Sequence, residues 1–364
     1  MIDWRPAAAS TAPLAGLRVL DMSELLPGPF MTQSLVELGA DVIKVERPPH
    51  GDPLRRVAPA LFTAVNRGKR ALRVDLKADD GVATVLSLAE GADVMVESFR
   101  PGVIAKLGLG WPCLQQRNPR LLLASLSGYG ASGPRAQWPG HDLNYLATAG
   151  VVGMAMKDGV GPPSFGVPVA DLAGATYALA AVQTALLHRV RTGAGQHLDI
   201  SLTHCVAHWM NPRLAALHDA AGDAIRARQA VQQRPAYGTF ICHDGRALTV
   251  AALEDHFWQA LVRALPLPAY ADPAYAHYPA RAAAAVDINA AIAVVLGRDV
   301  CQVALDRLSA ADVPVAEVAA LDELASAPAL ADSGLFVDTA AGELLRFPVP
   351  LAGVCAETAR LPAP

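Results

Sequence analysis

Charge is scarce in this 364-residue sequence: Asp, Glu, Lys and Arg make up 18% of it, and the net charge is only −4. Set beside 52% hydrophobic residues, that scarcity excludes a disordered chain, which needs low hydrophobicity and high net charge. There is no global basic excess, so nucleic acid is not the expected partner. Cysteine is sparse as well. Cys113, Cys205, Cys242, Cys301 and Cys355 are far apart and form no CxxC, which argues against a disulfide framework or structural zinc and for free thiols in a reducing cytoplasm. Long unbroken apolar runs are missing. The most apolar stretch, Leu172 to Leu187, is interrupted by Thr176, Gln183 and Thr184 and closed by Asp171 and His188-Arg189. It reads as a buried helix, and no membrane partner is expected. No charged segment followed by an apolar one opens the chain, so no signal peptide is expected.

What is present is a regular alternation. Leu17 to Asp21 reads as a strand, Leu26-Pro27-Gly28-Pro29 as a turn, Phe30 to Leu38 as a helix closed by Gly39, and Asp41 to Glu46 as the next strand. That βαβ unit implies parallel pairing with a right-handed crossover. The pattern recurs through a helix at 79–90 and strands at 93–97 and 121–127. After a long helix from Asp171 to Arg191 and a strand at 196–201, the pattern changes. Tyr237 to Cys242 and Arg246 to Ala251 flank His243-Asp244-Gly245 as a hairpin, followed by helices at 254–265 and 286–296. The expected fold class is α/β: a Rossmann-like doubly wound large domain plus a smaller α+β domain. The boundaries are a disordered lead-in at 1–13, the large domain at 14–200, linker helices at 201–235, the small domain at 236–325, and a C-terminal segment at 326–364 returning to the large domain.

Three features invite a chemical reading. Gly128-Tyr129-Gly130-Ala131-Ser132-Gly133 is a literal GxGxxG after a strand, but Pro134-Arg135 and Pro139-Gly140 follow where a dinucleotide site needs a helix. These glycines are better read as letting a loop pass close to something bulky. Between Arg55 and Lys77 stand seven bases (Arg55, Arg56, Arg67, Lys69, Arg70, Arg73, Lys77) against one acid, Asp75. That +6 window suits a polyanionic small molecule as well as it suits a solvated face. His141 and Asp171 stand at loop-to-helix junctions, where helix capping and acid–base catalysis are both open to them, and Glu254 reads equally as an N-cap.

Together the segments resemble the family III CoA-transferase (CaiB/BaiF) superfamily over nearly the whole chain. The matching pieces include Leu14 to Asp21, Leu38 to Pro48, Asn66-Arg67-Gly68-Lys69-Arg70, Val74 to Lys77, Ala92 to Gly102 and Asn118-Pro119-Arg120. Within it, Gly140-His141-Asp142-Leu143-Asn144-Tyr145 and Leu253-Glu254 are similar to motifs of the alpha-methylacyl-CoA racemases. The transferases' glutamine after the first strand is Leu26 here, and their glycine-rich small-domain loop is Ala251 to Trp258. The resemblance implies an interlocked homodimer with each active site between the large domain of one chain and the small domain of the other. It implies no metal and no cofactor, CoA being part of the substrate.

The expected reaction is therefore epimerisation of a 2-methyl-branched acyl-CoA by 1,1-proton transfer through an enolate, with His141 and Asp171 as the acid/base pair. Glu254 of the partner subunit would hydrogen-bond His141, and the start of the Asp171 helix would receive the enolate oxygen. The alternative is a CoA-transferase in which Asp171 becomes acylated and then forms an aspartyl-CoA thioester. CoA contacts carry over onto Arg47, a strand of Val74, Asp75, Leu76 and Lys77, onto Ser98, Phe99 and Arg100, onto Lys106, and onto Gly140, Asp142, Leu143, Asn144 and Tyr145. Asp255-His256, where racemases have Pro-Gln, and Ala170, where many have glycine, depart from the pattern.

Overall fold

The computed structural model describes residues 3–5, 11–156, 160–161 and 164–354. It divides into two compact units, Met1–Asn211 with Ser333–Pro364, and Pro212–Asp332.

The first unit is built on strands β1 (Arg18–Met22), β2 (Asp41–Glu46), β3 (Arg70–Arg73), β4 (Val94–Glu97), β5 (Leu122–Ser127) and β6 (Gln196–Ser201). They form one sheet in the order β3-β2-β1-β4-β5-β6, and every neighbouring pair is parallel. This is the doubly wound order. Its strands are runs of Val, Leu and Ile because both faces are covered. The helices are α1 (Pro27–Glu37), α2 (Leu54–Val57), α3 (Pro59–Asn66), α4 (Asp79–Glu90), α5 (Val103–Lys106), α6 (Trp111–Arg117), α7 (Asp142–Thr148), α8 (Val151–Ala155), α9 (Val169–Thr192) and α10 (Leu202–Trp209). Val19, Val42, Val94, Val96, Leu122 and Ala124 pack with α1 and α9 on one face, whereas Leu20, Ile43, Met95 and Leu123 pack with α4 and α6 on the other. By length and composition α9 could cross a membrane, but Ala173, Ala175, Ala178, Val182 and Ala185 are buried against the sheet and its neighbours.

The second unit carries α11 (Asn211–Asp219) and α12 (Ala224–Gln232), then a sheet of β7 (Tyr237–Ile241), β8 (Ala247–Ala251) and β9 (Val315–Glu317). All three are antiparallel in the order β7-β8-β9. Helices α13 (Asp255–Ala264), α14 (Tyr278–Ala283), α15 (Ala285–Leu296) and α16 (Cys301–Ala310) accompany it. Phe240, Leu248, Val250, Trp258, Leu261, Ile288, Ile292 and Leu308 form its core. A last hairpin, β10 (Phe336–Thr339) with β11 (Gly342–Leu345), belongs to the first unit.

Several local expectations change. The chain is already helical at Pro27, because proline at the first helical position has no amide to leave unpaired and a backbone angle preset for helix. The strand expected through Lys77 ends at Arg73, since the Asp75 carboxylate accepts from the Lys77 N–H (3.0 Å) and its carbonyl from Ala78 (3.1 Å), turning the chain. Of the lead-in expected to be disordered, Asp3 to Arg5 are described: the Trp4 indole donates to Leu88 O (3.2 Å) and the Arg5 N–H to Asp41 (2.9 Å). The rest of that expectation falls in part on residues 1–2 and 6–10, outside the described residues, as does Cys355. The linker at 201–235 divides: α10 packs in the first unit through Leu202 and Val206, while α12 lies in the second. The C-terminal segment contains the β10–β11 hairpin, turned at Gly342, whose φ is +100°.

Candidate active site

In this strand order the sheet reverses direction between β1 and β4, so the loops leaving those strands diverge and open a crevice at their carboxyl ends. A cleft of about 600 Å³ lies there. The loop after β1 supplies Glu24 and Leu25, the loop after β4 supplies Ser98 to Pro101, and the end of β5 leads to Ser127 and Gly128. Gly140, His141, Asn144 and Tyr145 close one side, and Asp171 of α9 faces the same space.

Asp171 is the third residue of α9, one turn inside the position expected of a cap, which Pro168 occupies. A helix N-terminus favours a carboxylate, but burial outweighs it. Burial, and then the nearby Asp142 carboxylate, push the Asp171 carboxyl up to about 7. Asp142 Oδ1 accepts from the backbone N–H of Ala170 (2.6 Å) and of Asp171 (3.1 Å). Two of the amides at the start of the Asp171 helix are therefore already taken by Asp142.

His141 is the N-cap of α7. Its N–H donates to Asn144 Oδ1 (3.0 Å), and its carbonyl accepts from Asn144 N–H (2.8 Å), as in one half of a capping box. Asn144, expected as a CoA contact, thus holds the histidine's backbone. Tyr145 donates its hydroxyl to Gly140 O (2.5 Å) and meets Tyr129 edge-on at 5.2 Å. Burial, with Asp171 next, pushes its hydroxyl up to about 12, so it remains a donor at neutral pH. The glycine loop owes its composition to this ring. A Cβ on Gly128 would lie 2.3 Å from the Tyr145 ring, while Gly130 and Gly133 have φ of +90° and +96°. No helix opens until Asp142.

The opposite wall contains groups the sequence reading passed over. Glu24 lies in the loop after β1, and burial, then Asp52, raise its carboxyl. Its N–H donates to Ser98 Oγ (3.0 Å), and the next residue, Leu25, has a φ of +65° with its N–H on Asp52 (3.3 Å). Glu97, buried at the end of β4, accepts from the Phe99 N–H (2.7 Å) and so shapes the turn carrying Ser98 to Arg100. The signal for both was topological: acids at the carboxyl ends of the two strands flanking the reversal.

The expected CoA contacts do not all reach this cleft. Ser98, Phe99, Arg100, Gly140, Asn144 and Tyr145 line it. Val74 is buried in the core, while Asp75, Lys77 and Arg47 are exposed and Leu76 is half-buried. Asp142 is committed to α9, Leu143 is exposed, and Lys106 borders a separate depression with Asp79, Glu90 and Arg117. The basic window is largely neutralised by acids outside it. Arg55 pairs with Glu46, Arg67 with Glu37, Lys69 with Asp21 and Arg70 with Asp41. Among the described residues, only Arg56, Arg73 and Lys77 of its seven bases stay out of ion pairs. The window is therefore mostly a structural feature of the sheet edge, and only in small part a free anion site.

Glu254 belongs to the second unit. It starts α13 through its backbone, its carbonyl accepting from Trp258 (2.9 Å), while its side chain makes no capping bond. Arg281, fully buried, grips the residues on either side: it donates to Leu253 O (2.7 Å) and Asp255 Oδ1 (2.8 Å), and also to Tyr275 O and Ala276 O. His277 meets the other Asp255 oxygen at 2.9 Å. His277 first, and Arg281 with it, hold the Asp255 carboxyl below the usual carboxylate range.

A doubly wound parallel sheet with acid–base side chains in the crevice at its reversal defines an α/β protein of the doubly wound class, whose ligands enter at that crevice. Residues 14–364 match the family model described as CoA-transferase family III, and the chain belongs to that family. It is 31% identical over 362 residues to the acetyl-CoA:oxalate CoA-transferase of Acetobacter aceti, covering 97% of this chain and 92% of that one. It is also 36% identical over 260 residues to the human alpha-methylacyl-CoA racemase, covering 70% of this chain and 65% of the relative. Among solved structures, a CAIB/BAIF family protein from Brucella suis matches with a TM-score of 0.86 at 29% identity, covering 97% and 96% of the two chains. Relatives named as transferases and as a racemase both fall in this family.

Proposed function

We propose that this protein epimerises 2-methyl-branched acyl-CoA thioesters, one of His141 and Asp171 removing the C2 proton while the other returns a proton to the opposite face. The observation that carries the reading is a carboxyl held near 7 in the same cleft as a histidine. A group half-protonated at neutral pH is matched to proton transfer in either direction. The chemistry asked of the site is proton transfer alone, and CoA enters as part of the substrate. The enolate oxygen would be received at the start of α7, where the helix opens beside His141 at the edge of the cleft. Glu254 would come from the partner of a homodimer. The free thiols Cys113, Cys205, Cys242 and Cys301 support a cytoplasmic setting.

CoA transfer between carboxylic acids is the second reading, supported by the near full-length relative from Acetobacter aceti named as a transferase. Asp171 would then attack the acyl-CoA to give a mixed anhydride and release CoA thiolate; the thiolate would attack the Asp171 carbonyl of the anhydride, freeing the donor carboxylate and leaving an aspartyl-CoA thioester, from which the acceptor carboxylate would take CoA by the reverse steps. One experiment separates the two. A single enantiomer of a 2-methylacyl-CoA is incubated in deuterated water and label at C2 is followed. Exchange with loss of chirality, suppressed by His141→Ala and Asp171→Ala, supports the racemase. No exchange, with a hydroxylamine-trappable adduct on Asp171 in the presence of a donor CoA ester and an acceptor acid, sinks it.

A further inference from the structure

Asp142 has the position of a substrate contact and the bonds of a brace. It is the first residue of α7, directly after His141, and its side chain turns to the neighbouring helix. One oxygen, Oδ1, takes two of the unpaired amides that every helix start leaves, those of Ala170 and Asp171. We infer that Asp142 is a positioning residue: its carboxylate joins the start of α7 to the first turn of α9, so that His141 and Asp171 are held in one frame. The inference rests on reading Asp171 as an acid/base group.

Two consequences come from one side chain. The bridge fixes the backbone from which the Asp171 carboxyl projects, because its own amide is one of the two donors. The charge acts separately, as the second cause, after burial, of the raised Asp171 carboxyl. Other titratable groups lining the cleft with Asp171 are His141 and Tyr145 at the start of α7, Glu24 from the loop after β1 and Arg100 from the loop after β4. α1 and α10 present only Pro27 and Leu202 to the cleft. Among the described residues, Asp142 alone combines contact with the Asp171 backbone and charge beside its carboxyl.

Two substitutions separate these effects. Asp142→Asn keeps an oxygen acceptor and removes the charge, whereas Asp142→Ala removes both. With the full-length protein, kcat and KM for C2 exchange are measured against pH using a single-enantiomer 2-methylacyl-CoA. Asp142→Asn is expected to keep KM and to move the limb due to Asp171 to lower pH. Asp142→Ala is expected to lose kcat by about tenfold or more, as small misplacements of reacting groups do, with a smaller change in KM. A rise in KM for Asp142→Asn with an unmoved limb would make Asp142 a substrate contact and overturn the inference, as would wild-type kcat in Asp142→Ala. The Asp171 carboxyl is also titrated by ¹³C NMR in unliganded aspartate-labelled protein, assigned with Asp171→Asn. An Asp171 chemical shift and titration both unchanged in Asp142→Ala, which removes the bridge and the charge together, refute the inference whatever the reaction. Exchange that survives in Asp171→Asn refutes instead the reading of Asp171.

Discussion

Lys69 Nζ lies 3.0 Å from Asp21 Oδ2 with both side chains fully removed from solvent. The ammonium also reaches Thr32 Oγ1 (2.7 Å), Asn66 Oδ1 (2.9 Å) and Pro29 O (3.0 Å), directly beneath the turn from β1 into α1. Burial alone would raise the Asp21 carboxyl. Lys69 and Lys44, with hydrogen bonds from Ser23 and Thr32, hold it well below the usual carboxylate range instead. Removing one member of a buried pair leaves the other uncompensated, at about 3–5 kcal/mol. Lys69→Met is therefore expected to lower the urea midpoint strongly, and Asp21→Asn added to it to recover part of the loss. A Lys69→Met midpoint equal to wild type would mean that the pair contributes nothing.

Asp171 works against the fold that carries it. Its carboxyl titrates near 7 in the folded protein, against an ordinary value of 3.8. Between those values the folded state holds a proton that the unfolded state has released, so stability falls as pH rises through the interval and levels off above 7. Asp171→Asn removes the titration. It should melt higher than wild type at pH 8 and no differently near pH 4, a gap of a few kcal/mol at about 1.4 kcal/mol per pH unit. Scanning calorimetry at both pH values decides it; an equal gain at both would point to another cause.

Gly128→Ala should injure the site before it injures the fold. Its methyl group would press into the Tyr145 ring, and overpacking of this kind costs about 1–3 kcal/mol. The ring would have to leave its place against Gly140 O, beside His141. A fall in kcat/KM larger than the stability loss explains is the expected result. Gly133→Ala is the contrast: with φ of +96° it carries backbone strain, but nothing lies within 4 Å of a Cβ there, so activity per folded molecule should survive.

In the second unit, Arg281 and His277 both meet Asp255 but differ in burial. Arg281→Met leaves the carbonyls of Leu253, Tyr275 and Ala276 without this donor, at about 1–3 kcal/mol for each buried group left unpaired. Its thermal midpoint should drop sharply. His277 is exposed, and His277→Ala should melt close to wild type. Similar melting of both variants would show that the Arg281 network is unimportant.

The doubly wound sheet could be read from the sequence because buried parallel strands are short Val, Leu and Ile runs punctuated by glycine, as at Asp41 to Glu46 after Gly39. His141 and Asp171 could be read from the motif and chemistry around them, and the structure brings both to one cleft. The +6 window misled because charge was summed along the chain. Its partners Asp21, Glu37, Asp41 and Glu46 are earlier in sequence and adjacent only after β1, β2 and β3 align. The strand through Lys77 failed because Asp75 bonds to its own downstream backbone, which apolar pattern does not register. Glu24 carried no local signal at all; its importance comes from strand order, a property of the assembled sheet.

The buried pair of Glu37 and Arg67 holds more than α1 and α3. Arg67 also donates to Leu345 O, 278 residues later, and the Phe347 N–H donates to Glu37. A ribosome releases Glu37 and Arg67 long before those main-chain partners exist, and makes all of residues 212–332 in between. Domains ordinarily finish folding in the order they emerge. Here the first unit to begin is the last to be completed, and its buried ion pair waits through synthesis of the second for the backbone groups that finally enclose it.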